Sequence, residues 1–311
     1  MKKEPLQHWS NYWSSGVQTS LPQDFQNNYD GEIYTFWSDV VSTLSDGARV
    51  LDLCTGNGAV ALLLAEAAIK QNKRLNITAV DLSQINIQAI NANHPKNVLS
   101  MIEFISDCPI ESINKKINKA QDLIVSQYGL EYSHIPKTAK AVAKVINKGG
   151  RLVFIAHGKY SAIFDYMTTE DEIYDWLEKI GILSLFTKLA TQGMTREEFQ
   201  LKTQKITSTH QPKQQFHQHP LFQSWLNLIR KFQPLTGLQL LQQKASLNHF
   251  LQQHQYARQR AKDMLNVSEK VKKKNWLDPI ADEGFELLDQ GQIKYKNQHL
   301  AGDWFKYKLN N

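Results

Sequence analysis

The sequence has few of the features that secreted or membrane-embedded proteins need. Cysteine occurs only twice in 311 residues, at Cys54 and Cys108, so a framework of several disulfides is excluded. The longest apolar run, residues 59–65, is far shorter than the roughly 18 residues that span a bilayer, and residues 1–5 lead into no apolar signal core. These absences favour a cytoplasmic protein that makes no membrane contact.

A large excess of one charge is also missing. Residues 1–150 carry 14 basic and 14 acidic side chains, so the net charge of +6 arises in residues 151–311, which carry 22 and 16. Such an excess can attract nucleic acid, but it is also typical of solvated helices. Nucleic-acid binding is therefore a possible but not a favoured function. A hydrophobic content of 41% is enough for a globular core.

Strand-like and helix-like segments alternate between residues 49 and 157, which is typical of a parallel sheet with crossover helices. The predicted strands cover residues 49–54, 75–80, 101–106, 122–126 and 151–156. Helices are predicted over residues 58–68, over 84–92 with Ser83 as N-cap, and over 138–146 with Gly149 and Gly150 at its end.

The pattern changes after His157. Apolar residues spaced by three and four, such as Ile173, Trp176, Leu177 and Ile180, predict a helical block over residues 160–270. Alternation returns from Gly284 and predicts two antiparallel strands that complete the sheet. The expected domains are an N-terminal helical cover (1–40), a core (41–159 and 275–311) and a helical insertion or lid (160–274).

The strongest motif is the run from Val50 to Gly58, in which a buried strand enters a glycine turn that opens a helix. Glycine allows a sharp bend and close approach to a ligand, and a helix start offers free N–H groups. Asp81 follows the second strand, 23 residues after Gly58, where an acid in a dinucleotide-type fold binds ribose hydroxyls. Together these features predict a nucleotide-type site at the carboxyl edge of the sheet.

These residues resemble the class I S-adenosylmethionine-dependent methyltransferase family. Asp52, Gly56 and Gly58 match its acidic, glycine-rich first motif, with Cys54 in place of the first glycine. The resemblance implies a Rossmann-like, seven-stranded, mostly parallel α/β sheet and S-adenosyl-L-methionine as cofactor. The cofactor-binding residues that it implies are Tyr29, Asp52, Cys54, Thr55, Gly56, Asn57, Gly58, Asp81, Leu82, Asp107, Cys108, Ser126 and Gln127.

Two other interpretations of the motif stay open. Nicotinamide dehydrogenases share the strand, turn and helix but usually carry a third glycine, which Ala59-Val60-Ala61 does not supply. Each acid could also serve only as a cap for backbone N–H groups. Three acids that end successive strands at one sheet edge favour a ligand site over caps.

The loop after the fourth strand is expected to face the methyl acceptor. Tyr128, Glu131 and His134 lie in this loop and His157 ends the fifth strand, so these four are the candidate catalytic residues. A histidine titrates near neutral pH and suits a general base. The loop lacks the Asn/Asp-Pro-Pro-aromatic motif of family members that methylate adenine or glutamine amides, which argues against those acceptors.

The N-terminal region is rich in aromatic residues, and similar helices cover the cofactor pocket in some bacterial methyltransferases. Tyr29 and Tyr12 are the expected contacts, because a sulfonium cation suits an aromatic face. His210, His217 and His219 lack completing ligands, so no metal site is expected. The predicted function is methylation of an O or N atom of a small molecule. The alternatives are an RNA or protein methyltransferase that uses the basic helical block, and a non-catalytic regulator that binds the cofactor.

Overall fold

A computed structural model describes residues 7–20, 27–295 and 299–310 of the chain. Residues 1–5, for which the sequence shows no signal core, lie outside the described residues, as do parts of the expected cover 1–40. The chain forms two compact units: residues 1–162 with 266–311, and residues 163–265. No helix in the described ranges has both the length and the apolar character needed to cross a bilayer.

The first unit is built on a seven-stranded sheet with the order β3-β2-β1-β4-β5-β7-β6 among the described residues. The strands are β1 (Arg49–Leu53), β2 (Asn76–Val80), β3 (Ile102–Ile105), β4 (Gln121–Gln127), β5 (Ile146–Ala156), β6 (Phe285–Tyr295) and β7 (His299–Leu309). The first five are parallel, and the β6–β7 hairpin joins β5 in antiparallel pairing. This mostly parallel α/β sheet confirms the predicted Rossmann-like fold.

Register brings the carboxyl ends of the central strands together. Leu53 pairs with Val80 on one side and with Ser126 on the other, so β1, β2 and β4 end side by side. Because β1 lies between β2 and β4, the order of the strands reverses there, and open α/β sheets bind ligands at such a point. The residues that follow these three strands therefore share one edge of the sheet.

Helices cover both faces of this sheet. They are α1 (Gln7–Ser14), α2 (Gly31–Ser42), α3 (Ala59–Lys70), α4 (Ile87–Asn93), α5 (Lys96–Leu99), α6 (Ile135–Ala143) and α13 (Asp278–Asp282). Helix α3 is apolar nearly all round, with nine buried residues, because α2 packs on it from outside while its inner side meets the sheet. A second core on the opposite face includes Ile124, Val142 and Phe154.

Two local predictions were wrong. Helix α4 begins at Ile87, and its N-cap is Asn86, whose side chain accepts from the Ala89 N–H; Ser83 instead donates to Asp81. Gly149 and Gly150 do not end a helix. They lie in β5, where the register steps from Ile146 to Arg151 against a two-residue step in β4, and a Cβ on Gly150 would overlap the Ile146 side chain and the Asn147 carbonyl. The glycines thus serve a strand irregularity rather than a helix C-terminus.

The second unit is helical. It contains α8 (Ile182–Thr191), α9 (Arg196–Thr209), α10 (Pro220–Phe232), α11 (Gly237–Gln242) and most of α7 (Ala162–Lys179) and α12 (Lys244–Val271). Its own core is rich in aromatic residues, among them Phe186, Trp225 and Phe232. The expectation that a helical insertion serves as a lid over the substrate end stays a prediction.

Candidate functional site

The turn after β1 has the backbone conformation that the motif predicts. Cys54, Gly56 and Gly58 have φ values of 56°, 56° and 79°, all in the left-handed region that favours glycine. Cys54 adopts this conformation despite its side chain, which costs about 1 kcal/mol or more of backbone strain. The Thr55 N–H donates to the Val80 carbonyl at 3.0 Å, which ties the turn to the end of β2.

The Cys54 side chain fits because the loop after β4 lacks one. A Cβ placed on Gly129 would overlap the Cβ of Cys54, and Ser126 donates to the Leu53 carbonyl at 2.9 Å, which draws the loop onto the turn. Gly129 has φ −135°, which any residue can adopt. Glycine is therefore needed at position 129 because a side chain there would overlap Cys54, not because the backbone conformation demands it. Cys54 stands where the family usually has glycine, and Gly129 leaves room for its side chain.

Asp52 is a buried carboxylate with one oxygen unused. Its Oδ2 accepts from the Thr55 hydroxyl at 2.6 Å and from the Ala61 N–H at 3.2 Å, whereas its Oδ1 meets no partner among the described residues. The pKa of Asp52 is raised to about 7, chiefly by burial and to a smaller extent by the nearby Asp81, against the lowering effect of its hydrogen bonds. A cationic partner would therefore stabilise the ionised form of Asp52.

Asp81 holds the neighbouring position at the end of β2. Its Oδ2 accepts from the Gly56 N–H at 2.7 Å, and its Oδ1 accepts from the N–H and hydroxyl of Ser83. Burial raises the pKa of Asp81, while these hydrogen bonds lower it. Oδ1 thus accepts two hydrogen bonds, whereas Oδ2 keeps a second lone pair, so the side chain can still accept from a ribose hydroxyl, as the family resemblance implies.

Asp107 and Cys108 follow β3 at the same edge. Asp107 is exposed, has φ 54°, and accepts from the side-chain amide of Gln84. Cys108 is buried, and its N–H donates to the Asp81 carbonyl at 2.9 Å. Leu82 lies half-buried beside them. These predicted cofactor-binding residues thus adjoin Asp81, and their cofactor contacts remain predictions.

Hydrogen bonds hold residues 13–18 of the N-terminal segment against the glycine turn. The Asn57 side-chain amide donates to the carbonyls of Trp13 and Val17, and Gln18 donates to the Asn57 carbonyl. Trp13, rather than the expected Tyr12, lies against the turn, since a Cβ on Gly56 would come within 2.6 Å of its ring. Tyr12 instead donates its hydroxyl to the Thr19 carbonyl. A ligand that runs along the turn must displace the Trp13 ring or stack on it.

Beside the turn lies a cavity of about 40 Å³, lined in part by Thr19, Tyr29, Asp52, Cys54 and Gln127. Three buried polar atoms on these side chains have no hydrogen-bond partner among the described residues: Thr19 Oγ1, Asp52 Oδ1 and Gln127 Nε2. Each such atom costs about 1–3 kcal/mol when left unsatisfied. Three of them around one cavity indicate a polar ligand, and a cofactor with an amino-acid end fits this set.

Tyr29 lies on the same cavity but is already engaged. Its hydroxyl meets the Ser20 hydroxyl at 3.0 Å and accepts from the Ser20 N–H at 3.3 Å. Burial raises the pKa of Tyr29, against smaller lowering effects of Ser20 and of the nearby Gln127 amide. Tyr29 thus anchors the segment that carries Thr19. Neither Thr19 nor the anchoring role of Tyr29 carried a signal in the sequence.

A buried acid and histidine meet at the ends of β4 and β5. His157 Nδ1 lies 2.7 Å from Glu131 Oε1, and the His157 backbone N–H donates to the same oxygen at 2.9 Å. The two side chains are 5% and 0% exposed. The Tyr128 ring packs against the His157 ring with centroids 4.7 Å apart. The fold therefore joins three of the four candidate catalytic residues, although they span 30 positions of sequence.

A lysine places positive charge next to the backbone of the loop that carries Glu131. Lys270 Nζ donates to the backbone carbonyls of Glu131 and Ser133 at 2.6 and 2.8 Å. Burial lowers the pKa of Lys270, and the carboxylate of Glu131 opposes that effect. His134, the fourth candidate, is exposed and caps α6, with its Nδ1 accepting from the Lys137 N–H at 3.4 Å. Of the two histidines, only His157 is paired with an acid in this loop region.

In the part of the chain that the structure describes, no group of three or more His, Cys, Asp or Glu side chains is arranged to hold a metal ion. His219, one of the three clustered histidines, caps α10 by accepting from the Leu221 N–H.

Comparison with known proteins places the chain in a family. The family model described as a methyltransferase domain matches residues 44–226, which is more than half of the chain. A search of curated proteins finds no match.

Several solved structures are similar to the chain at low identity. A Methanococcus maripaludis protein assigned to the S-adenosyl-L-methionine-dependent methyltransferases is 12% identical over 100% of this chain and 96% of its own, with a TM-score of 0.40. A glycopeptide N-methyltransferase with bound S-adenosyl-L-homocysteine is 15% identical over 44% and 54%, with a TM-score of 0.34. The CMeT domain of a citrinin polyketide synthase is 16% identical over 40% and 34%, with a TM-score of 0.33. The chain thus spans about a third to a half of the last two proteins.

The family match, the strand order and the acids beside the glycine turn agree with one another. The chain belongs to the methyltransferase-domain family.

Proposed function

We propose that this methyltransferase transfers the methyl group to an O or N atom of a small molecule, and that His157, oriented by Glu131, accepts the proton from that atom. The observation that carries this proposal is the buried contact of 2.7 Å between His157 Nδ1 and Glu131 Oε1. It lies where β4 and β5 end, at the edge of the sheet that carries Asp52 and Asp81.

The hydrogen bond determines which nitrogen acts as the base. A carboxylate only accepts, so Nδ1 carries the hydrogen that it donates to Glu131. In neutral imidazole the lone pair is then on Nε2, and this is the atom that can take a proton. When Nε2 is protonated, the Glu131 carboxylate stabilises the imidazolium, as a carboxylate does in other acid–histidine pairs. S-adenosylmethionine, when bound, supplies an electrophilic methyl group on a sulfonium centre.

The burial of the pair supports a small acceptor. Since Glu131 and His157 are almost fully removed from solvent, the acceptor atom has to enter a recess in the protein rather than remain on its surface. Aromatic rings pack around His157: Tyr128 and Tyr132 have centroids 4.7 and 6.0 Å from that of His157, and Trp9 packs on Tyr132. Such a lining suits a mostly apolar small molecule with one nucleophilic group.

Transfer of a labelled methyl group tests the acceptor class. The protein is incubated with methyl-labelled S-adenosylmethionine and with an extract of the source organism separated into small molecules, RNA and protein. We expect label in the small-molecule fraction. Label in RNA or protein would overturn the choice of acceptor. Binding of S-adenosylhomocysteine without transfer to any fraction would instead support a non-catalytic regulator.

Substitution of the pair tests the base. His157→Gln should lower the turnover rate by about 10²–10⁴-fold, the usual contribution of a general base, while the affinity for S-adenosylhomocysteine stays unchanged. Glu131→Gln should also slow transfer, because a neutral amide stabilises the imidazolium less. His134→Gln, which removes a helix cap, serves as the comparison. If His134→Gln slows transfer as much as His157→Gln does, the assignment of the base is wrong.

A further inference from the structure

Thr19 is held in the wall of the cavity beside the glycine turn. Its side chain is 1% exposed, and its Oγ1 has no partner among the described residues. The segment around it is fastened at both sides: the Tyr12 hydroxyl donates to the Thr19 carbonyl, and the next residue, Ser20, bonds to Tyr29. The hydroxyl is therefore positioned by the fold but not used by it.

The Gln127 amide is oriented by Trp37. The indole N–H of Trp37 can only donate, so the atom that it meets at 2.6 Å must be the amide oxygen of Gln127. This contact directs Nε2, with its two N–H donors, to the other end of the group. Nε2 is buried, lies on a residue that lines the cavity with Thr19, and makes no hydrogen bond with a described residue.

The three unused atoms have complementary chemistry. Thr19 Oγ1 and Gln127 Nε2 are donors, whereas Asp52 Oδ1 is an acceptor in its ionised form. The cavity of about 40 Å³ has room for roughly three water molecules, which is comparable with a head group but too small for a nucleoside. An amino-acid end, which carries an ammonium and a carboxylate on the same carbon atom, would satisfy all three.

We propose that the Thr19 hydroxyl and the Gln127 side-chain amide bind the carboxylate of the cofactor's amino-acid end, opposite the Asp52 carboxylate that takes its ammonium. This inference rests on the cofactor of the family and is independent of the acceptor and of the base. It assigns a binding role to Thr19, a residue of the N-terminal segment that precedes the sheet.

Ligands with and without the carboxylate test this assignment. Affinities are measured by calorimetry for S-adenosylhomocysteine, for its decarboxylated analogue S-adenosyl-3-thiopropylamine, and for 5′-methylthioadenosine, which lacks the whole amino-acid end. Thr19→Val should weaken S-adenosylhomocysteine about tenfold or more, the effect of one hydrogen bond to a charged group, and leave the decarboxylated analogue unaffected. Gln127→Glu keeps the acceptor for Trp37 but opposes the carboxylate, so it should show the same selective loss.

Matched variants keep the result interpretable. Thr19→Ser retains the hydroxyl and should keep the affinity, so it tests the proposal even if Thr19→Val folds poorly. Thr203→Val removes an equally buried threonine from α9 and should alter none of the affinities. Equal losses for the carboxylated and decarboxylated ligands in Thr19→Val and Gln127→Glu would overturn only the assignment of these two side chains to the carboxylate. Failure of the wild type to bind S-adenosylhomocysteine would overturn the cofactor assignment as well.

Discussion

The buried carboxyl of Asp52 makes stability and cofactor binding depend on pH in opposite directions. Its pKa is raised from the usual 3.8 to about 7, chiefly by burial. Between these two values the folded chain holds a proton on Asp52 that the unfolded chain has lost, so the folded state binds more protons. The free energy of unfolding without ligand therefore falls as pH rises through this window.

The size of the effect follows from the shift. Three pH units at 1.36 kcal/mol each mean that the proton on Asp52 stabilises the folded state by about 4 kcal/mol in total. About 2.5 kcal/mol of this stabilisation is lost between pH 5 and pH 8, and the rest is already lost below pH 5. Asp52→Asn has no proton to lose at this position. Its stability should thus exceed that of the wild type by an increasing margin as pH rises.

Urea unfolding of wild type and Asp52→Asn, at pH values from 5 to 8 and without ligand, measures this margin. The difference between the two proteins is the relevant quantity, since other titrating groups are common to both. S-adenosylhomocysteine should show the reverse trend: its affinity for the wild type should rise by up to tenfold per pH unit below pH 7, because its ammonium favours ionised Asp52, and Asp52→Asn should lack this slope. Parallel stability profiles for the two proteins would refute the reasoning.

Two further predictions concern the glycine turn. Gly129→Ala should destabilise the chain by about 1–3 kcal/mol through overlap with Cys54, and Cys54→Gly should remove most of that penalty, so urea unfolding of the double variant should show strong non-additivity; additive effects would contradict the packing argument. Trp13 lies on Gly56, so S-adenosylhomocysteine should change the tryptophan emission of the wild type, and Trp13→Phe should remove most of that change. A response that persists unaltered in Trp13→Phe would place the ligand away from this ring.

Much of the fold could be predicted because local patterns and the global topology agree. Apolar runs of strand length alternate with helical segments from Arg49 to Ala156, and only a parallel sheet accommodates that order. The wrong predictions arose where one sequence pattern is compatible with two local structures. Gly149 and Gly150 suit a helix end and a strand irregularity equally well, and only pairing with β4 distinguishes them.

The site was predictable to a similar extent. Asp52, Asp81 and the glycine turn could be identified because they end successive strands, and parallel register places such ends together. Glu131 and His157 were two of four candidates, and their pairing depends on the contact between β4 and β5. Thr19 could not be found, since a threonine in a segment without periodicity carries no signal.

By itself, the sequence of this protein determined the order of the strands along the chain and the glycine turn with its acids, because these follow from backbone preferences and spacing over a few residues. The resemblance of this turn to a known motif indicated the family. Tertiary structure alone decided which polar atoms remain without partners, that Trp13 rather than Tyr12 covers the turn, and which histidine meets an acid. Such properties depend on distances between segments far apart in the chain, and no local pattern encodes those distances.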